Sequence, residues 1–237
     1  MTTDIHEIIR RAIDNMDNRV LITELEFLPN GNIKVFSCYT AWLMKGSTVL
    51  NGIFKVVELV PNEYFVVEAL TNVTTFNVIA ELPIPKPFYF HGTMRATNAE
   101  LDMVKMSSDK FPMIYCLEVF REVFNSNPDA AIERETSLRL FFLTENDFKN
   151  WITDDHYDNV INPIRAMLDG FFSVINGGMG FGKIETYTTI NHVNFGTFTD
   201  NNGHLKNLFD DNLSGIELDV TIPILKNFDC SLIGDCN

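Results

Sequence analysis

The stretch Gly177-Gly178-Met179-Gly180-Phe181-Gly182-Lys183 comes nearest to a recognised chemistry, because Gly177 and Gly182-Lys183 have the spacing of a phosphate-binding loop. Such a loop follows a strand and opens a helix whose amide groups point at the phosphates, and a Ser or Thr after the lysine holds magnesium. Here apolar periodicity places a helix before the glycines and a strand after them, and Ile184 stands at the hydroxyl position. The glycines read as a turn that ends the helix.

The other reactive side chains lack the spacing their chemistry needs. The histidines, His6, His91, His156, His192 and His204, include no pair at helical or hairpin spacing, so no metal ligand set is expected. Cys38, Cys116, Cys230 and Cys236 are scattered, and the last two have no second pair to complete a site; all four read as free thiols. His156 follows Asp154-Asp155, the residue types of a base with an orienting carboxylate, but the trio fits a helix N-terminus, where acidic residues suit the macrodipole. No serine sits in a Gly-x-Ser-x-Gly elbow. Asp210-Asp211 and Glu133 with Glu135 read as solvated carboxylates, and Asp200-Asn201-Asn202-Gly203 lacks the ligand alternation and closing Glu of a calcium loop. No catalytic residue, cofactor or metal is therefore expected, and the chain does not read as an enzyme. A hydrolase built from distant segments leaves no local spacing, so the sequence does not exclude one.

Composition narrows the classes further. With 32 acidic and 18 basic residues the formal charge is −14, which excludes a free-standing basic nucleic-acid binder. A chain that is 46% hydrophobic and 21% charged can bury a core and is not disordered. Twenty phenylalanines suggest either a Phe-rich core or aromatic surface buried between subunits. No apolar run is long enough to span a bilayer, and Met1-Thr2-Thr3-Asp4 does not open a signal peptide, so the protein is expected inside a cell.

The expected class is α+β: a mixed or antiparallel sheet packed with two main helices, with an inserted β-rich module. The core is expected from residues 1–19 plus 96–237 and the insertion from 20–95. Ile5, Ile8, Ile9, Ala12, Ile13 and Met16 predict an amphipathic helix over 4–16, capped by Thr3 or Asp4. Strands are expected at Val20–Leu28, Ile33–Tyr39, Val49–Val60 and Tyr64–Leu70, joined as antiparallel hairpins by turn-type residues such as Pro29-Asn30-Gly31. Leu82-Pro83-Ile84-Pro85-Lys86-Pro87 cannot be a central strand and reads as an extended connector or edge arm. Beyond it we expect a short helix at Thr97–Met106, strands at Met113–Val119 and Ser137–Leu143, and a turn at Thr144–Asn150 with Thr144 as a helix cap. A long helix at Tyr157–Ile175 follows, with Pro163 in its first turns. Two more strands, Ile184–Val193 and Ile216–Leu225, flank a polar loop, Thr199–Asp211.

Three stretches carry a resemblance: Phe90-His91-Gly92-Thr93 with Asn98-Ala99-Glu100-Leu101, then Lys110-Phe111-Pro112-Met113-Ile114-Tyr115, and Leu213-Ser214-Gly215-Ile216-Glu217-Leu218-Asp219-Val220. With the Phe-rich strand Arg139-Leu140-Phe141-Phe142-Leu143 and the helix containing Asn162-Pro163-Ile164, they resemble neck and tail proteins of tailed bacteriophages infecting Bacteroidota, including the crAss-like group. The resemblance covers about residues 90–225. It implies a structural virion protein assembled in the host cytoplasm, a tail terminator or head-to-tail connector. Such a subunit forms a homo-oligomeric ring of six or twelve copies that joins portal to tail and lines or surrounds the DNA channel. Its partners would be itself and neighbouring portal, neck or tail proteins, with genomic DNA only as passing cargo and no membrane. Candidate interface residues are Phe88, Phe90, Pro83, Pro85 and Pro87 on the arm. An acidic channel would repel DNA phosphate and let a genome pass without sticking. The alternative is a cytoplasmic protein-binding adaptor module that uses its β insertion.

Overall fold

The computed structural model describes residues 4–50, 52–71, 80–93, 110–127, 129–146, 150–178, 180–199, 201–209 and 211–226. Asp4 caps the first helix, α1 (Ile5–Asp14), by accepting from the His6 amide at 2.8 Å. The three-and-four spacing of Ile5, Ile8, Ile9, Ala12 and Ile13 gives α1 one wholly buried face. Residues 19–69 then form β1 (Arg19–Leu21), β2 (Glu24–Phe27), β3 (Ile33–Phe36), β4 (Thr48–Val49), β5 (Phe54–Val60) and β6 (Tyr64–Ala69). The last five make an antiparallel sheet in the order β2-β3-β6-β5-β4. The expected strand Val49–Val60 is broken because Leu50 and Gly52 take positive φ (52° and 79°) and turn the chain back on itself.

A second, larger sheet is mixed. It contains β8 (Phe88–Gly92), β9 (Met113–Leu117), β10 (Arg121–Phe124), β11 (Ile132–Glu145), β12 (Tyr187–Phe195) and β15 (Leu213–Leu225). Its order is β12-β15-β11-β9-β8, with β10 also paired to β11, and only β8–β9 is parallel. β11 and β15 run alongside each other for almost their full length. The side chains of β11 alternate: Leu138, Leu140 and Phe142 join the core shared with the helices, while Phe141 and Leu143 join a second apolar cluster.

The long helical stretch opens with α2 (Thr153–His156), passes through a π-helical turn at Tyr157–Ile161 and continues as α3 (Asn162–Asn176). Pro163 is the second residue of α3, near a helix start as the sequence suggests, but helical backbone already precedes it from Thr153. A proline there has no amide to donate and its ring crowds the carbonyl four residues back. The wider turn accommodates it: the Asn162 amide reaches back to the Tyr157 carbonyl.

The fold is thus α+β, two main helices with sheets, as expected, with corrections in detail. β8 falls within the expected 20–95 insertion yet pairs in the larger sheet, and one continuous core holds Phe54, Val56, Phe65 and Val67 of the small sheet together with Ile9, Phe142 and Phe171. Thr144 does not cap a helix; it is buried in β11 opposite Ser214, and the helix starts at Thr153. The polar loop Thr199–Asp211 contains structure of its own: β13 (Thr197–Thr199) and β14 (Leu205–Asn207) pair as a hairpin. The helix expected at Thr97–Met106 and the cysteines Cys230 and Cys236 lie outside the described residues. No helix among the described residues is long and apolar enough to cross a membrane.

Candidate functional site

The proline-rich connector lies on its own chain. β7 (Glu81–Pro83) pairs with β1, the Ile84 amide donates to the Asn18 carbonyl at 2.8 Å, and the Trp42 indole donates to the Pro85 carbonyl at 3.1 Å. Lys86 Nζ donates to the Asp14 carbonyl. Of the five arm residues, Pro83 and Pro85 are exposed, Phe88 is half-buried, and Pro87 and Phe90 are buried. Phe90 stacks on Tyr115, Tyr115 on Phe141, and the run continues through Phe195 to Phe209 with ring centroids 4.8–6.1 Å apart. The arm is therefore a bound connector, and Phe90 serves this chain's own packing.

Exposed apolar side chains stand instead at the open edges of the larger sheet. β12 presents Tyr187 and Ile190, about half exposed, and β10 presents Val123 and Phe124 to the same degree. Among the described residues no strand pairs with the outer side of either.

A cleft of about 840 Å³ opens between the β4–β5 hairpin and the ends of β11 and β9. Trp42, Phe111 and Trp151 supply its apolar lining, Asn146 and Asn212 its amides, and Lys55 a cation. Asn146 is buried and committed to the fold, donating to the Val193 carbonyl at 3.2 Å and bonding Ser214 Oγ.

One set of side chains has ligand chemistry. His6 lies in the first turn of α1, His91 on β8, and Glu118 just after β9, where its amide donates to the Gly92 carbonyl at 3.0 Å. One potential ligand atom from each lies within 4.8 Å of the others. The two imidazoles stack at 3.9 Å with 17° between planes, Phe120 stands edge-on to His6 at 5.3 Å, and Tyr89 Oη lies 3.5 Å from His6 Nδ1. His91 Nδ1 is buried without a hydrogen-bond partner. Burial, and then the neighbouring His91, hold His6 below its ordinary pKa against the pull of Asp4, Glu118 and Glu122. Next to His91 in register is Cys116, whose thiol burial pushes up to about 12, so it stays protonated at neutral pH. Burial likewise raises Tyr89.

The remaining histidines fall elsewhere. His156 is buried in α2, edge-on to Trp151 at 5.4 Å, and its Nδ1 has no hydrogen-bond partner. Asp155, its neighbour, accepts instead from the Ile152 amide. His192 pairs with Glu217 at 2.8 Å on the side of the larger sheet away from α3. Asp211 is no free surface carboxylate, since it pairs with the buried Lys110 at 2.5 Å. Past the glycines, Phe181 bridges to Ile224 and Gly182 abuts Pro223, so no helix follows to cradle a phosphate.

Chain spacing could not reveal the His6–His91–Glu118 group, because three distant segments supply it and only the parallel β8–β9 pairing sets two of them side by side. No protein-family model, no curated protein and no solved structure matches the chain.

Proposed function

We propose that the chain is a non-enzymatic structural subunit that closes head to tail into a ring, in the neck or tail of a tailed phage as the sequence resemblance implies. A head-to-tail interface needs two different, complementary surfaces on each copy. The single observation that carries the reading is that the larger sheet has dissimilar open edges, of which β12 and β10 bear exposed apolar side chains. Open edges of this kind pair with another chain unless they are blocked. The charge of −14 suits a ring around DNA, because an acidic wall repels phosphate. The ring, of six or twelve copies, would sit between portal and tail in the virion.

Native mass at low and moderate salt tests this, with Ile190→Lys on β12 and Val123→Lys on β10 as variants. The wild type is expected as one discrete high-order species. Each variant alone should lose it while remaining folded, and mixing the two should give dimers, since each copy keeps one competent edge. A monomeric wild type at both salts, or variants that still form the ring, would overturn the reading. A second reading, a protein-binding adaptor, is favoured by the aromatic cleft between the small and large sheets, and a stable monomer that retains a partner through that cleft would support it.

A further inference from the structure

We propose that His6, His91 and Glu118 bind one zinc-class divalent cation and so tie α1 to the β8–β9 pair. The donor set selects the ion. Two imidazole nitrogens and one carboxylate suit zinc and its first-row neighbours, whereas calcium and magnesium take oxygen ligands. Around a tetrahedral ion with bonds of about 2.0–2.1 Å, ligand atoms stand about 3.4 Å apart. The three ligand atoms already lie within 4.8 Å of one another, and the set closes when the two stacked imidazoles turn until their in-plane lone pairs converge on the ion.

Two further observations support the site. His91 Nδ1 is buried with no hydrogen-bond partner, and as the ligating nitrogen it would gain one in the cation. Tyr89 Oη stands 3.5 Å from His6 Nδ1, where a phenol can orient a ligating ring. Glu118 is exposed, so an ion can reach the site from solvent. The proposal does not depend on the ring reading, and its test needs no assembly.

The test is equilibrium dialysis and calorimetric titration of zinc chloride into the tag-free full chain, in a background where Cys38, Cys230 and Cys236 are Ser and the buried Cys116 is kept. We expect one equivalent bound and a higher melting temperature with zinc, because a ligand that binds only the native state stabilises it. His91→Gln should weaken binding about 100-fold or more. Glu118→Gln, at an exposed position that leaves packing untouched, should weaken it at least about tenfold and keeps the test valid if His91→Gln does not fold. With cobalt as the probe, visible bands should mark a nitrogen and oxygen environment, and they should be lost in Glu118→Gln. Absence of binding, or zinc affinity unchanged in Glu118→Gln and in His6→Gln, would overturn the proposal.

Discussion

Arg134 of β11 is buried, and its Nη1 donates to Glu122 Oε1 of β10 at 2.7 Å. Glu122 accepts from Thr136 Oγ1 as well, at 3.3 Å, and the guanidinium lies 5.8 Å from the Phe124 ring centroid. A cation held out of water depends on its partner, and removing one member of such a pair costs about 3–5 kcal/mol. Glu122→Ala is therefore expected to lower unfolding free energy by about that amount in urea denaturation. A loss under about 1 kcal/mol would mean that the pair behaves as an exposed one.

Two glycines predict opposite outcomes for the same change. At Gly215, in β15, an added Cβ would lie 1.9 Å from the Phe142 carbonyl oxygen, a backbone atom that cannot move without opening the β11–β15 pairing. Gly215→Ala is expected to cost about 3 kcal/mol or more, or to prevent folding. At Gly170, in the interior of α3, the added Cβ would meet Met16 Cε at 3.4 Å and Trp42 at 3.5 Å, ordinary contact distances to side chains. Gly170→Ala is expected to be neutral or to stabilise by up to about 1 kcal/mol, because alanine is the better helix former. Thermal melts of both variants check the pair of signs.

Acid should destabilise the metal-free protein through His6. The folded chain holds this imidazole below its ordinary value of 6.5, by burial first and His91 second, so the unfolded chain binds the proton more tightly. The stabilising contribution is present above pH 6.5 and is lost as the pH falls from there through the lower folded value. Denaturation midpoints in chelator-containing buffer should fall over that window in the wild type and fall less in His6→Gln. Equal slopes for the two proteins would contradict the assignment.

Local chemistry explains which elements were legible in the sequence. The helix at 4–16 shows because Ile5, Ile8, Ile9, Ala12 and Ile13 must share one face, and the strands around Pro29-Asn30-Gly31 show because those residues permit little besides a turn. The same local chemistry puts a helix cap at Thr144, since a threonine before a polar run looks like a cap whether or not a strand continues through it. It also gives Thr199–Asp211 as a loop, because three-residue strands are too short to show alternation.

The sequence by itself determined the α+β class, the apolar faces of α1 and α3 and the turn that follows α3, because each depends on contacts within a few residues along the chain. Only the tertiary structure decided that the proline-rich connector lies bound on its own chain and that β8 joins the larger sheet. It also decided that His6, His91 and Glu118 meet. Those outcomes depend on which distant strands pair. Pairing follows from how the whole set of apolar faces is buried at once, a property that no local spacing encodes.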